Sequence, residues 1–114
     1  MGDDYCKIFV DFSESRDVLS KAIQRVVGGT VQQRTVVSEI CEVDVIRNED
    51  FDESKRDSND GFIYFPYYLD ITKVDAASKG AFLDHLKKLL HHFWSTKVRA
   101  VPACSFEVEL PEAP

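Results

Sequence analysis

The chain has 114 residues and a net charge of −6, and 44% of its residues are hydrophobic. This length fits one domain, spanning 1–114, and the 13 aromatic side chains (8 Phe, 4 Tyr and 1 Trp) exclude an intrinsically disordered chain. The longest apolar run, 62–69, is much shorter than the roughly 20 residues of a membrane span. Because the start of the chain is acidic and lacks the basic region of a secretory signal, we expect a cytoplasmic protein.

The N-terminal part of the chain predicts a strand, a helix and a further strand. Residues 5–12 alternate between two faces, which is typical of a β-strand. Ser13 is a candidate N-cap for an amphipathic helix over 14–27, where apolar residues recur every three or four positions. Residues 30–37 and 40–47 are rich in Val, Ile and Thr, and we interpret them as one long or broken strand.

A polar loop and an aromatic strand follow. The loop spans residues 48–60, and Phe51 is its only large apolar side chain. Residues 61–71 predict the strongest strand of the chain, with the odd positions from 63 onwards on one face. Phe62, Tyr64 and Tyr68 then belong to the opposite face, and the proline between them indicates an edge or a bulge.

The last third of the chain predicts a helix and a final strand. Asp75 or Ser78 can cap a helix that runs to about Thr96, residues 98–109 form the last strand, and 111–114 are a tail. The order is therefore β-α-β-β-α-β. It predicts an α+β, ferredoxin-like fold, in which an antiparallel sheet carries two helices on one face.

The histidine, cysteine and acidic residues of the chain form no catalytic or metal-binding motif. Three histidines lie on the second predicted helix without the spacing of a helical zinc site, and the acids of 49–60 lack the spacing of a calcium loop. The three cysteines are too widely spaced for a disulfide framework. We therefore expect no enzyme activity, no metal and no cofactor. The alternative is a small ferredoxin-like enzyme or ligand-binding domain with a pocket near His92, Cys104 and Glu107.

The negative charge is concentrated in one segment. Residues 39–60 hold nine acidic and three basic side chains, which account for the whole net charge of −6. An acidic surface repels the phosphates of nucleic acids and attracts basic partners. We therefore expect a basic protein partner, no nucleic acid and no membrane.

The aromatic strand supports the exclusion of RNA. RNA-recognition domains share this element order and stack bases on strand aromatics, and their motif begins with a basic residue, a glycine and an aromatic residue. Here Asp60 replaces the basic residue, and Ile63 stands where a small residue is required. The apolar sheet face must therefore serve another purpose. It can form a homodimer, bind a protein partner, or lie under the acidic loop with Phe51 as the anchor.

Four stretches of the chain resemble small bacterial immunity proteins that are encoded beside polymorphic toxins, including those of contact-dependent growth inhibition systems. They are Asn48–Asp52, Asp60–Asp70, Leu89–Trp94 and Val101–Pro111, and the resemblance covers about the last two-thirds of the chain. It implies a non-enzymatic cytosolic protein that binds the C-terminal domain of one cognate toxin. Many such toxins are basic nucleases, and the immunity protein blocks the active site or the substrate groove.

The candidate partner-binding residues belong to two surfaces. We rank the acidic loop first, because its carboxylates mimic a nucleic-acid backbone, and the aromatic strand second. The candidates are Glu49, Asp50, Phe51, Asp52, Glu53, Asp57 and Asp60 in the loop, and Tyr64 and Tyr68 in the strand.

Overall fold

A computed structural model describes residues 4–114, and within this range the protein is α+β with six strands and two helices. The strands form one antiparallel sheet in the order β2-β3-β4-β5-β1-β6. In chain order the elements are β1 Tyr5–Val10, α1 Arg16–Val27, β2 Thr30–Gln32, β3 Thr35–Val37, β4 Cys41–Arg47, β5 Tyr67–Lys73, α2 Lys79–Ser95 and β6 Ala100–Ala103. Short 3-10 helices occupy Gly61–Tyr64 and Glu107–Glu109.

Strand alternation places the core on one face of the sheet. In β1, Cys6, Ile8 and Val10 are buried while Lys7 and Phe9 remain partly exposed, as a period of two requires. The buried residues of α1 and α2 join these side chains in one apolar cluster. We call the opposite face, which carries Lys7, Phe9 and Tyr68, the open face.

The two helices begin at serine caps. Ser15 accepts a hydrogen bond from the backbone N–H of Val18 at the start of α1, so the predicted cap at Ser13 lies two residues too early. Ser78 accepts from the N–H of Ala81 at the start of α2, which confirms one of the two predicted caps. The predicted end at Thr96 lies one residue beyond Ser95, and Thr96 is the C-cap.

The prediction of one long or broken strand over 30–47 is wrong, because this segment forms three strands. β2 and β3 pair through a two-residue turn in which Gln33 has a left-handed backbone with φ 59°. Gly29 precedes β2 with φ 80°, and a Cβ there would lie 1.9 Å from the carbonyl oxygen of Val37. Only glycine allows this close approach of the two chain segments.

The predicted strand over 61–71 is correct only in its second half. Gly61–Tyr64 form a 3-10 helix, and the ladder starts at Tyr67. From that point the odd positions are buried as predicted, whereas Ile63 is 41% exposed.

The final strand is also shorter than predicted. β6 ends at Ala103, after which the chain turns so that Phe106 and Leu110 are buried in the core. Pro102 lies in β6 opposite Ile8 and is tolerated there because β6 is an edge strand. Within residues 4–114, neither helix is both long and apolar enough to cross a membrane.

Candidate functional site

The segment after β4 covers part of the open face. The ring of Phe62 packs edge-on against Phe9 with 5.4 Å between centroids, and Phe9 in turn contacts Tyr68 at 5.8 Å. Phe51, the anchor expected from the sequence, is 44% exposed instead. Phe62 therefore packs against the open face, and part of that face remains uncovered.

Asn48 holds this segment in place. Its side chain is buried, and its amide nitrogen donates to the carbonyl oxygens of Ile63 at 2.9 Å and Phe65 at 2.8 Å. Its side-chain oxygen accepts from the backbone N–H of Asp50 at 3.0 Å. An Asn at the start of a loop commonly makes such a turn, but here the side chain also joins the two ends of the segment.

A second set of contacts ties the loop to the end of β1. Asp11 accepts hydrogen bonds from Arg56 at 3.2 Å and from Arg99 at 2.6 Å. Arg99 also pairs with Asp57 at 2.8 Å, and Arg56 lies 3.9 Å from Glu53. The bonds to Asp11 and Asp57, offset in part by desolvation, raise the pKa of Arg99. One carboxylate therefore positions two arginines and, through them, the middle of the acidic loop.

Replacing Asp11 by Ala should destabilise the protein by about 1–2 kcal/mol. The side chain of Asp11 is only 12% exposed, while those of Arg56 and Arg99 are 30% and 48% exposed, so the loss is smaller than for a fully buried pair. Urea denaturation measures it, with Asp84→Ala, on the exposed side of α2, as the control. Equal stability of the two variants would contradict this role for Asp11.

A cleft of about 510 Å³ opens between the uncovered part of the open face and the start of the loop. It is lined by Lys7, Phe9, Ile46, Arg47, Asn48, Glu49, Asp50, Ile63 and Tyr68. The ammonium group of Lys7 lies 4.3 Å from the centre of the Tyr68 ring, a cation–π distance. The cleft, which we call the open-face cleft, therefore has an aromatic wall and charged groups of both signs.

Three of the predicted acids are available to a partner. Glu49 and Asp50 are exposed and line the open-face cleft, and Asp60 is exposed at a residue with a left-handed φ of 59°. Within residues 4–114 the carboxylates of these three residues have no hydrogen-bond or ion-pair partner. They can therefore accept bonds from a basic partner without breaking an internal contact.

The other predicted acids have internal roles. Asp52 accepts from the backbone N–H of Ser54 at 2.9 Å and from its hydroxyl at 2.6 Å. These bonds, more than the nearby Lys55, lower the pKa of Asp52. Glu53 and Asp57 belong to the arginine contacts described above, although their side chains are 79% and 75% exposed.

The predicted aromatic residues occupy different places. Tyr68 lies on the wall of the open-face cleft, whereas Tyr64 is partly exposed beneath Lys55, whose ammonium group lies 5.3 Å from its ring centre. The structure therefore brings Tyr68 together with Glu49 and Asp50 in the cleft, and Tyr64 lies outside this group.

The residues of the alternative pocket belong to the end of α2 and to the segment after β6. The backbone N–H of Cys104 donates to the carboxylate of Glu107 at 3.3 Å. The ring of His92 packs against Phe93, and the open-face cleft is lined by other residues. Among residues 4–114, no three His, Cys, Asp or Glu side chains gather at a spacing that would hold a metal ion.

Sequence reasoning missed several residues of the site. Lys7 and Ile46 reach the open-face cleft because β1 and β4 flank β5, a pairing that local patterns do not specify. The position of Asn48 at the junction of a predicted strand and a predicted loop indicates its turn-forming role only weakly. Comparisons with protein-family models, curated proteins and solved structures return no match to this chain.

Proposed function

We propose that this protein is a cytoplasmic immunity protein that binds a basic toxin domain and blocks its active site or substrate groove. The observation that carries the proposal is the open-face cleft, where the unpaired carboxylates of Glu49 and Asp50 border the partly exposed ring of Tyr68. Tyrosine is enriched at the energetic centres of protein interfaces. Carboxylates beside it favour Lys and Arg of a partner over nucleic acid.

The surrounding charge supports the same partner. Residues 49–60 hold six acidic and two basic side chains. One of the two basic side chains, Arg56, already donates a hydrogen bond to Asp11. A surface with this excess of negative charge accelerates encounter with a positively charged protein. Rapid capture matters for an inhibitor of a toxic enzyme, because every free toxin molecule turns over substrate.

We further propose that the scaffold is an elaborated ferredoxin-like fold. The four strands β4-β5-β1-β6, with α1 and α2 as the connections, have the order and the antiparallel pairing of a split β-α-β unit. β2 and β3 then extend the sheet at the β4 edge. This arrangement places both α-helices on the opposite face and leaves the uncovered part of the open face for a partner.

The test begins with the gene immediately upstream of the one for this chain: if it encodes a large secreted protein, binding to the C-terminal domain of that protein is measured. We expect the double variant Glu49→Lys and Asp50→Lys to bind this domain at least about 10-fold more weakly, with most of the loss in the association rate at low salt. Surface plasmon resonance at several salt concentrations measures both quantities, and rescue of cells that express the toxin domain measures protection.

The matched control is the double variant Asp75→Lys and Asp84→Lys. It changes the net charge by the same amount, but both residues are exposed and lie at or near α2, away from the open-face cleft. Unchanged binding by the Glu49 and Asp50 variant, or equal losses in the two variants, would exclude the cleft as the interface. If light scattering instead shows a homodimer, and the Glu49 and Asp50 variant is a monomer, a structural module replaces the immunity role.

A further inference from the structure

The pairing of β1 with β6 brings two cysteines together. The ladder aligns Lys7 with Ala103, the last residue of β6, and continuing the same register by one residue would place Cys104 opposite Cys6. Residues opposite each other in such a ladder have Cα atoms about 4.5–5.5 Å apart, inside the roughly 4.4–6.8 Å range of disulfides. Cys104 packs against the core cluster that contains Cys6, so the two side chains lie on the same face of the sheet.

The two thiols differ in their access to solvent. Cys6 is fully buried in the core, while Cys104 is only partly buried at its edge. Burial, and then the neighbouring Cys104 thiol, raises the pKa of the Cys6 thiol. Since the thiolate is the reactive form of cysteine, a small oxidant meets Cys104 first and Cys6 second.

We propose that Cys6 and Cys104 are an oxidisable dithiol that hydrogen peroxide closes to an intramolecular disulfide. The sulfur of Cys104 attacks one peroxide oxygen, the O–O bond breaks, and one water leaves as the sulfenic acid forms. The sulfur of Cys6 then attacks the sulfur of Cys104, the S–O bond breaks, and a second water carries away the proton of Cys6. The two thiols lose two electrons and two protons, and one peroxide gains them.

The third cysteine is excluded from this chemistry by the sheet. Cys41 lies in β4, and β5 separates β4 from β1. Two strand spacings amount to about 10 Å, which is too far for a disulfide without movement of the backbone. The thiol of Cys41 is buried beside the hydroxyl of Ser38 at 3.8 Å.

The disulfide would connect the start of the chain to its end. The segment after Cys104 carries Phe106 and Leu110 into the core, and Phe106 packs against Phe82 with 6.2 Å between ring centroids. Closing a loop of about 100 residues restricts the unfolded chain strongly. We therefore expect oxidation to raise the Tm by roughly 5–15 °C.

The experiment treats the folded full-length protein with hydrogen peroxide, denatures it, and alkylates the remaining thiols with N-ethylmaleimide. Intact mass should show one alkylated cysteine in place of three, and peptide mapping should find Cys6 joined to Cys104. The Cys41→Ala variant should form the same cross-link, whereas Cys104→Ser should not and should keep its Tm after treatment.

Three results would overturn the inference. They are the recovery of all three thiols after treatment, a disulfide that joins two chains or involves Cys41, and oxidation of Cys104 alone to the sulfinic acid. Peptide mapping of the protein without substitutions shows whether the disulfide forms, even where a variant folds poorly. A cross-linked protein with an unchanged Tm would contradict the stabilising effect.

Discussion

Replacing Gly61 by Ala should destabilise the protein by about 3 kcal/mol or more. A Cβ at this position would lie 2.4 Å from the carbonyl oxygen of Arg56 and 2.6 Å from that of Lys55. Both obstacles are backbone atoms, so a side-chain rotation cannot relieve the contact and the loop itself must move. Arg56 also binds Asp11, and displacement of its backbone would weaken that bond. Urea denaturation gives the change in the free energy of unfolding.

The matched control is Gly80→Ala in the first turn of α2. A Cβ there would meet only the Ser78 hydroxyl, at 3.9 Å, so this substitution should stabilise the helix by up to about 1 kcal/mol. The two glycine variants should thus change stability in opposite directions. If both changed it in the same direction, the close approach at Gly61 would not explain its effect.

The elements that the sequence predicts well are those whose patterns are local. The alternation in β1 and the helical period of α1 and α2 need only neighbouring residues, and Ser78 acts as a cap through an N–H three positions away. The hairpin of β2 and β3 was missed because Gln33 takes a left-handed turn conformation. Such turns usually carry Asn or Gly.

The residues 61–65 show why local patterns fail elsewhere. Their apolar and aromatic alternation is typical of a strand, but Asn48 binds the carbonyls of Ile63 and Phe65. These two carbonyl groups therefore accept hydrogen bonds from a side chain 15 or more positions earlier in the chain, and not from a neighbouring strand. For the site, the excess of acids in residues 49–60 can be read directly from the sequence. The contribution of Lys7 to the cleft depends on strand pairing and could not be predicted.

Replacing Asn48 by Ala should reduce the free energy of unfolding by about 2–4 kcal/mol. The carbonyl oxygens of Ile63 and Phe65 would lose the donor that now satisfies them, and an unsatisfied buried polar group costs about 1–3 kcal/mol. The backbone N–H of Asn48 would keep its bond to the carbonyl oxygen of Pro66, at 2.9 Å, which limits the loss. Urea denaturation measures the change, and Asn59→Ala, at an exposed loop position, is the control and should change stability by less than about 0.5 kcal/mol.

A second substitution separates hydrogen bonding from the loss of side-chain volume. Asn48→Asp keeps the shape of the side chain but removes both amide donors and turns a carboxylate towards two carbonyl oxygens, so it should destabilise at least as much as Ala. A milder effect of Asp than of Ala would show that Asn48 acts mainly by filling space. If the hydrogen bonds hold the loop, backbone amides such as that of Asp52, which donates to the carbonyl of Tyr64 at 3.1 Å, should exchange faster with solvent in both variants. The open-face cleft would then lose the fixed positions of Glu49 and Asp50, because the loop that presents them starts at Asn48.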